Sequence, residues 1–160
     1  MENTVGTEIP ILRAMPNTAI AIRESMTCMC LNSAAKDLKD PVKDLFDNLG
    51  ITVIIDEELM DAATVLGACG IAFALRYIRA SSQGGIQTGF DAKTSQLISA
   101  QTVKGAAGLL LKNGNHPEHE IDKVTTPQGC TIEGLNEMEH SGFSSSLIKG
   151  IRASFKKIKP

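Results

Sequence analysis

Between Asp91 and Lys112 the chain carries only Lys93 and Lys104 as charges, over a stretch long enough for a helix of about 30 Å. The rest of its circumference is apolar or small, and a helix of that kind is normally buried on all sides. Asp91 is a natural N-cap and Gly114 a natural stop, so the spacing predicts a helix over 91–113. Gly105-Ala106-Ala107-Gly108 would let a neighbouring backbone come close. Helical periodicity also marks 57–67, 70–83, 117–123, 131–141 and 144–158, with stops at Gly84-Gly85 and Gly142 and a cap at Ser144. Five short helices can scarcely enclose one long apolar helix. We therefore expect two copies of the chain to interlock around it.

The first third reads differently. Ile9 to Asn32 is rich in β-branched and apolar residues interrupted by Pro10 and Pro16-Asn17, which suits short strands joined by a turn. Leu38, Val42, Leu45, Phe46 and Leu49 keep a helical period over 36–49, Gly50 stops that helix, and Ile51 to Ile55 follow as a strand. Up to Asp56 the chain looks like the edge of an α/β sheet without its other strands. The expected architecture is therefore mainly α: residues 1–56 are a sheet remnant, and residues 57–160 are a helical domain.

Sixteen basic and eighteen acidic residues are mixed along the chain, leaving no basic face for nucleic acid and no polybasic membrane patch. With no Trp and one Tyr, platforms for stacking bases are not expected. Cys28, Cys30, Cys69 and Cys130 lack paired zinc spacing and read as reduced thiols of a cytoplasmic protein. Cys28 and Cys30 would share one strand face as core residues. The longest uncharged run, Ala62 to Leu75, is shorter than the roughly 20 residues a bilayer demands, and Met1 opens no leader, so neither a membrane span nor export is expected. His116-Pro117 reads as a turn before a helix, and His116, His119 and His140 do not form a metal set. Nucleophile elbows and phosphate-binding glycine loops of known spacing do not occur.

The stretch from Lys123 to Ile132 places a turn and free backbone amides ahead of a helix. Pro127 cannot lie inside that helix, Gln128-Gly129 turns the chain, and Thr131 stands where a hydroxyl could cap the amides of Ile132 to Gly134. Such a helix start favours a small carboxylate or phosphate. Glu57, after a strand and at a helix start, is read as a dipole-stabilised acid that could also face a cleft.

Arg13-Ala14-Met15-Pro16-Asn17-Thr18, Glu57-x-x-Met60-Asp61-Ala62-Ala63-Thr64, Gln101-Thr102-Val103-Lys104-Gly105-Ala106-Ala107, His116-Pro117 and Thr126-Pro127-Gln128-Gly129-Cys130-Thr131-Ile132 together resemble pyrroline-5-carboxylate reductase in order and spacing. The likeness runs from about Leu12 to about Phe155. It implies a reductase that passes a hydride from NADPH or NADH to the imine carbon of 1-pyrroline-5-carboxylate, making L-proline. It also implies a helical domain serving as the homodimer interface, with room for a higher oligomer. Carried over residue by residue, Thr131 matches a proton donor to the ring nitrogen. Cys130, Gly129, Thr126 and Val124 match the substrate loop, Glu57 an acidic substrate position, and Lys123 a cofactor contact.

Two departures stand out. Gly67-Ala68-Cys69-Gly70-Ile71-Ala72-Phe73 replaces a segment usually rich in serine and glycine, and Gln128 replaces a usual glycine, which is expected to oppose a positive φ. Nor does a Gly-x-Gly-x-x-Gly fingerprint occur in these residues, so tight cofactor binding and turnover are not expected from this chain alone. The leading expectation is the carboxyl half of a proline-making reductase. The alternatives are a stand-alone helical dimerisation or small-carboxylate-binding protein, and a partner that borrows a nucleotide domain from another chain.

Overall fold

The computed structural model describes residues 2–158. They form two compact units, one of the described residues up to Phe73 with those from Gly150 on, and one of Ala74–Lys149.

The first unit is built on a three-stranded sheet in the order β1-β2-β3, with β1 at Leu12–Met15, β2 at Ser25–Leu31 and β3 at Gly50–Ile54. β1 runs antiparallel to β2, in register from Leu12↔Leu31 to Met15↔Cys28. β3 runs parallel to β2, from Ser25↔Gly50 to Met29↔Ile54, after a crossover through a 3₁₀ segment and α2 (Lys39–Asp47). A parallel pair needs such a crossover. The central strand carries the core: Met29 and Cys30 are buried with Ala35, Met60 and Val65. The short helix α1 (Glu2–Val5) was not expected from the sequence. Between β1 and β2, Asn17 caps a 3₁₀ turn by accepting from the Ala19 amide at 3.0 Å.

After β3 the sequence suggested two helices separated at the Gly67-Gly70 segment. Instead a 3₁₀ turn at Glu57–Leu59, α3 (Met60–Ala63), a π-helical segment Thr64–Cys69 and α4 (Gly70–Gln87) form one unbroken run. The wider π turn absorbs the glycines without ending the helix. Thr64 Oγ1 donates back to the Met60 carbonyl at 2.9 Å, and the Gly67 carbonyl accepts from Asn17 Nδ2 at 3.3 Å. By length and composition alone Glu57–Gln87 could cross a bilayer, although Glu57, Glu58, Asp61, Arg76 and Arg79 punctuate it.

In the second unit Gly84-Gly85 does not stop α4 either. A Cβ at Gly85 would lie 2.1 Å from Ser95 Oγ, so this glycine serves close packing of α4 against α5 (Ala92–Asn113). Ser95 Oγ donates to the Ser82 carbonyl at 2.7 Å, and Ser99 and Ser81 share a hydrogen bond at 3.1 Å. Asp91 caps α5 as expected, accepting from the Lys93 and Thr94 amides, and Gly114 ends it with φ of 66°. α6 (Pro117–Val124) and α7 (Cys130–His140) follow. α8 (Phe143–Ile158) begins before Ser144, so Ser144 is not its cap and donates instead to Glu139 at 2.6 Å. Tyr77 and Phe143 meet edge to face, their centroids 6.2 Å apart.

Among the described residues of this second unit, those that are buried are Ser82, Ser95 and Ser99. Large apolar side chains lie outside: Leu97 is 68% exposed and Leu111 74%.

Candidate functional site

The loop from Lys123 to Thr131 belongs to the second unit. Its approach is fixed by α6, which His116 caps by accepting from the Glu118 amide at 3.2 Å, with Pro117 in the first turn. Lys123 Nζ meets Glu120 Oε1 at 2.8 Å, and Asn115 Nδ2 donates to the same oxygen at 2.6 Å. Lys123, and then Asn115, hold the Glu120 carboxyl below its ordinary range. Val124 closes α6 with an exposed side chain.

Thr126 to Gly129 then form a tight turn, closed by the Gly129 amide donating to the Thr126 carbonyl at 2.9 Å. Proline in second place and a positive φ in third are the signature of a type II turn. Gln128 takes that third place with φ of 58°, so its bulk does not exclude the left-handed conformation. Its side chain is exposed and meets no obstacle, leaving only the intrinsic cost of the left-handed region, roughly 1–2 kcal/mol for an L-residue. Replacing Gln128 with Gly should therefore raise unfolding stability by about 0.5–1 kcal/mol after the added chain entropy of glycine is subtracted. Denaturant melts of the two proteins would show it, and a loss of stability would contradict it. Gly129 has no such latitude: a Cβ there would sit 2.5 Å from Thr126 Oγ1 and 3.0 Å from the Thr126 carbonyl.

Helix α7 starts at Cys130, with Gly129 in the cap position and no side chain satisfying its first amides. Thr131 therefore does not cap the helix, because helical geometry begins one residue earlier than the sequence suggested. It stands inside the first turn with an exposed side chain, as does Cys130. The first turn of α7 thus has no side-chain cap and carries an exposed hydroxyl at Thr131. Amides at the positive end of a helix accept an anion.

Glu57 lies in the other unit, at the first position of the 3₁₀ turn after β3. Its Oε1 meets Arg13 Nη1 at 2.5 Å, and its Oε2 accepts from Cys30 Sγ at 2.7 Å. The Cys30 hydrogen bond, and then Arg13, pull the Glu57 carboxyl below its usual value. Burial, reinforced by Glu57, pushes the Cys30 thiol up to about 11. Burial likewise raises Cys28, and both thiols are free. Arg13, Cys30 and Glu57 line a cavity of about 550 Å³ with Asn3, Ile11 and Asn32. Asn32 is committed locally, its Oδ1 accepting from the Ile11 amide at 3.0 Å and its Nδ2 donating to the Ile9 carbonyl at 2.9 Å.

The structure thus gathers Lys123, Val124, Thr126, Gly129, Cys130 and Thr131 into one loop, and sets Glu57 in a separate cluster with two residues that sequence reasoning passed over. Cys30 had been read as a core thiol, and Arg13 as part of a motif. Strand alternation held the signal, since Arg13 and Cys30 are register partners whose side chains share a sheet face.

The profile described as pyrroline-5-carboxylate reductase dimerisation matches residues 57–160. Pyrroline-5-carboxylate reductase 1 of Dictyostelium discoideum is 54% identical over 159 residues, covering 92% of this chain and 29% of the relative. Pyrroline-5-carboxylate reductase 2 of the same organism is 48% identical, covering 92% of this chain and 54% of its own length. A crystal structure of Plasmodium falciparum pyrroline carboxylate reductase with NADP bound superposes at a TM-score of 0.88 and 29% identity, over 98% of this chain and 63% of that one. The chain spans less than two thirds of the length of each of these relatives.

Proposed function

The chain belongs to the pyrroline-5-carboxylate reductase dimerisation family, and from that premise we propose that it supplies the substrate loop and the subunit interface of a cytoplasmic enzyme reducing 1-pyrroline-5-carboxylate to L-proline. The observation that carries this reading is the start of α7, which has no side-chain cap and holds an exposed Thr131 in its first turn. A small ring bearing a carboxylate beside its nitrogen needs that pair: amides for the carboxylate, and a hydroxyl within reach of the nitrogen as it gains a proton. Thr131 is the proposed donor. Val124, Thr126, Gly129 and Cys130 are the proposed substrate-loop residues, and Glu57, in the other unit, is proposed separately as an acidic substrate position.

NADPH or NADH would supply the hydride in the full reaction. The residues present do not fit its phosphates. β2 passes into its crossover through Asn32, whose side chain is spent on Ile9 and Ile11, and a glycine-rich strand-to-helix turn is missing from the sequence. We therefore assign cofactor binding to residues outside these 160, with Lys123 as the one contact from this chain. Residues 1–56 are the proposed margin of that nucleotide-binding region, and 57–160 the dimer-forming part.

Homodimer formation is supported by the second unit itself. A helical unit whose fully buried side chains are serines, with apolar residues such as Ile78, Val103 and Leu110 only half-buried, has little apolar core to offset the entropy of folding. Its exposed leucines and isoleucines need a partner, and the charges punctuating Glu57–Gln87 favour a protein partner over lipid.

Calorimetric titration of L-proline into the native protein tests the substrate reading. Saturable binding is expected, weakened about tenfold by Thr131→Ala for the loss of one hydrogen bond worth about 1.4 kcal/mol. Failure of the unmodified protein to bind L-proline would overturn the assignment. Thr131 is exposed, so its alanine variant should fold as before.

A further inference from the structure

We propose that Arg13 and Cys30 act as a paired positioning device for Glu57, holding its carboxylate in a single orientation on the wall of the cavity the three residues share. The argument starts from register. Arg13 on β1 and Cys30 on β2 are directly opposed across an antiparallel pair, so their side chains rise from the same sheet face. Each engages a different oxygen of Glu57, the guanidinium at 2.5 Å and the thiol at 2.7 Å. A carboxylate held at both oxygens has one rotamer, whereas a carboxylate held at one can swing.

The backbone sets the approach. The Ile55 amide donates to the Met29 carbonyl at 2.9 Å, next to Cys30, and the Leu59 amide donates to the Asp56 carbonyl at 3.0 Å, closing the turn that Glu57 opens. Glu57 is therefore delivered to the pair by the end of the sheet and not by its own flexibility. The two donors have unequal circumstances. The Arg13–Glu57 pair is largely exposed and screened by water, which makes it the weaker restraint. Cys30 is 4% exposed and, with its thiol raised to about 11, remains a proton donor at neutral pH. The buried thiol is thus the donor that solvent cannot replace.

Only the consequence for ligand affinity rests on the reading of Glu57 as a substrate contact. The test compares Cys30→Ala, Cys30→Ser and the unmodified protein by two measurements. The first is the Glu57 titration, followed by NMR of side-chain-labelled glutamate. Its midpoint should rise in Cys30→Ala and return toward the original in Cys30→Ser, where a donor is restored. A core residue with no positioning role would leave that midpoint unmoved in both, and this result would overturn the proposal. Arg13→Gln, at an exposed position that does not threaten folding, provides the same readout from the other oxygen. The second measurement is L-proline affinity, expected to fall three- to tenfold in Cys30→Ala and to recover in Cys30→Ser. An unchanged affinity with a shifted Glu57 midpoint would overturn the ligand-facing half. If the unmodified protein fails to bind L-proline, the substrate reading fails, while the Glu57 midpoint still decides the positioning device.

Discussion

Replacing Leu97 and Leu111 together with glutamate is expected to convert the proposed dimer to a monomer and to strip the second unit of most of its helical signal. The two leucines lie fourteen residues apart on α5, just under four turns, so they fall on one side of the helix. They are 68% and 74% exposed within the chain, and a partner that covered them would bury four leucines per dimer. Full burial of a leucine is worth about 1.5–3 kcal/mol, and with the share already covered removed the four contribute roughly 4–8 kcal/mol. The dissociation constant should rise by at least about a thousandfold, before the cost of bringing carboxylates into the interface is added. Sedimentation equilibrium with circular dichroism would report both effects. Retention of the dimer mass by the double variant would place the interface elsewhere.

The second large effect is local and concerns Gly50. This residue opens β3 with φ of 145°, and a Cβ built on it would lie 2.0 Å from the Ser25 carbonyl oxygen and 2.4 Å from the Ser25 nitrogen. Both atoms are backbone, so no side chain can turn away to make room. Ser25 is the register partner of Gly50, and its amide donates to the Leu49 carbonyl at 3.0 Å, which ties the two strands at this point. Gly50→Ala must therefore prise β3 from β2 or abandon the conformation, and the central strand it disturbs holds Met29 and Cys30. A loss above about 3 kcal/mol is expected, among the largest for a single methyl group. Denaturant unfolding would measure it, or accumulation in inclusion bodies if the loss exceeds the total stability. A change under about 1 kcal/mol would mean that the strands separate there at little cost.

What could be read from sequence followed from residues whose role is local. Asp91 caps α5 because its carboxylate reaches amides two and three residues on, and His116-Pro117 opens α6 for a similar reason. Gly114 was legible as a stop, having a positive φ, whereas α2 ends at Asp47 with Asn48 as its cap and Gly50 opens β3. Five separated motifs were enough to point to the family that the 57–160 match establishes. Misreadings arose where a residue answers to something distant. Gly85 looked like a terminator but makes room for Ser95, ten residues along on another helix. The glycines at 67 and 70 looked like a gap and were accommodated by a π turn with Asn17 bonded to one of its carbonyls. Gln128 tolerates a left-handed backbone that a residue scale would deny it. The loop holding Thr131 was visible because it is contiguous. The clamp on Glu57 was not, since its members come from three elements and only the sheet register joins them.

The serine seam between α4 and α5 has a consequence for how the protein behaves in a cell. Hydrogen bonds such as Ser95 to Ser82 register one helix against the other, but they supply little net stability. In the proposed dimer a second chain supplies the missing apolar contribution, so the folding equilibrium of this unit would contain a concentration. By mass action, the fraction of ordered protein rises with the supply of chains and falls on dilution. On that proposal, a chain made without enough companions is exposed to proteolysis before it is ever in a position to work.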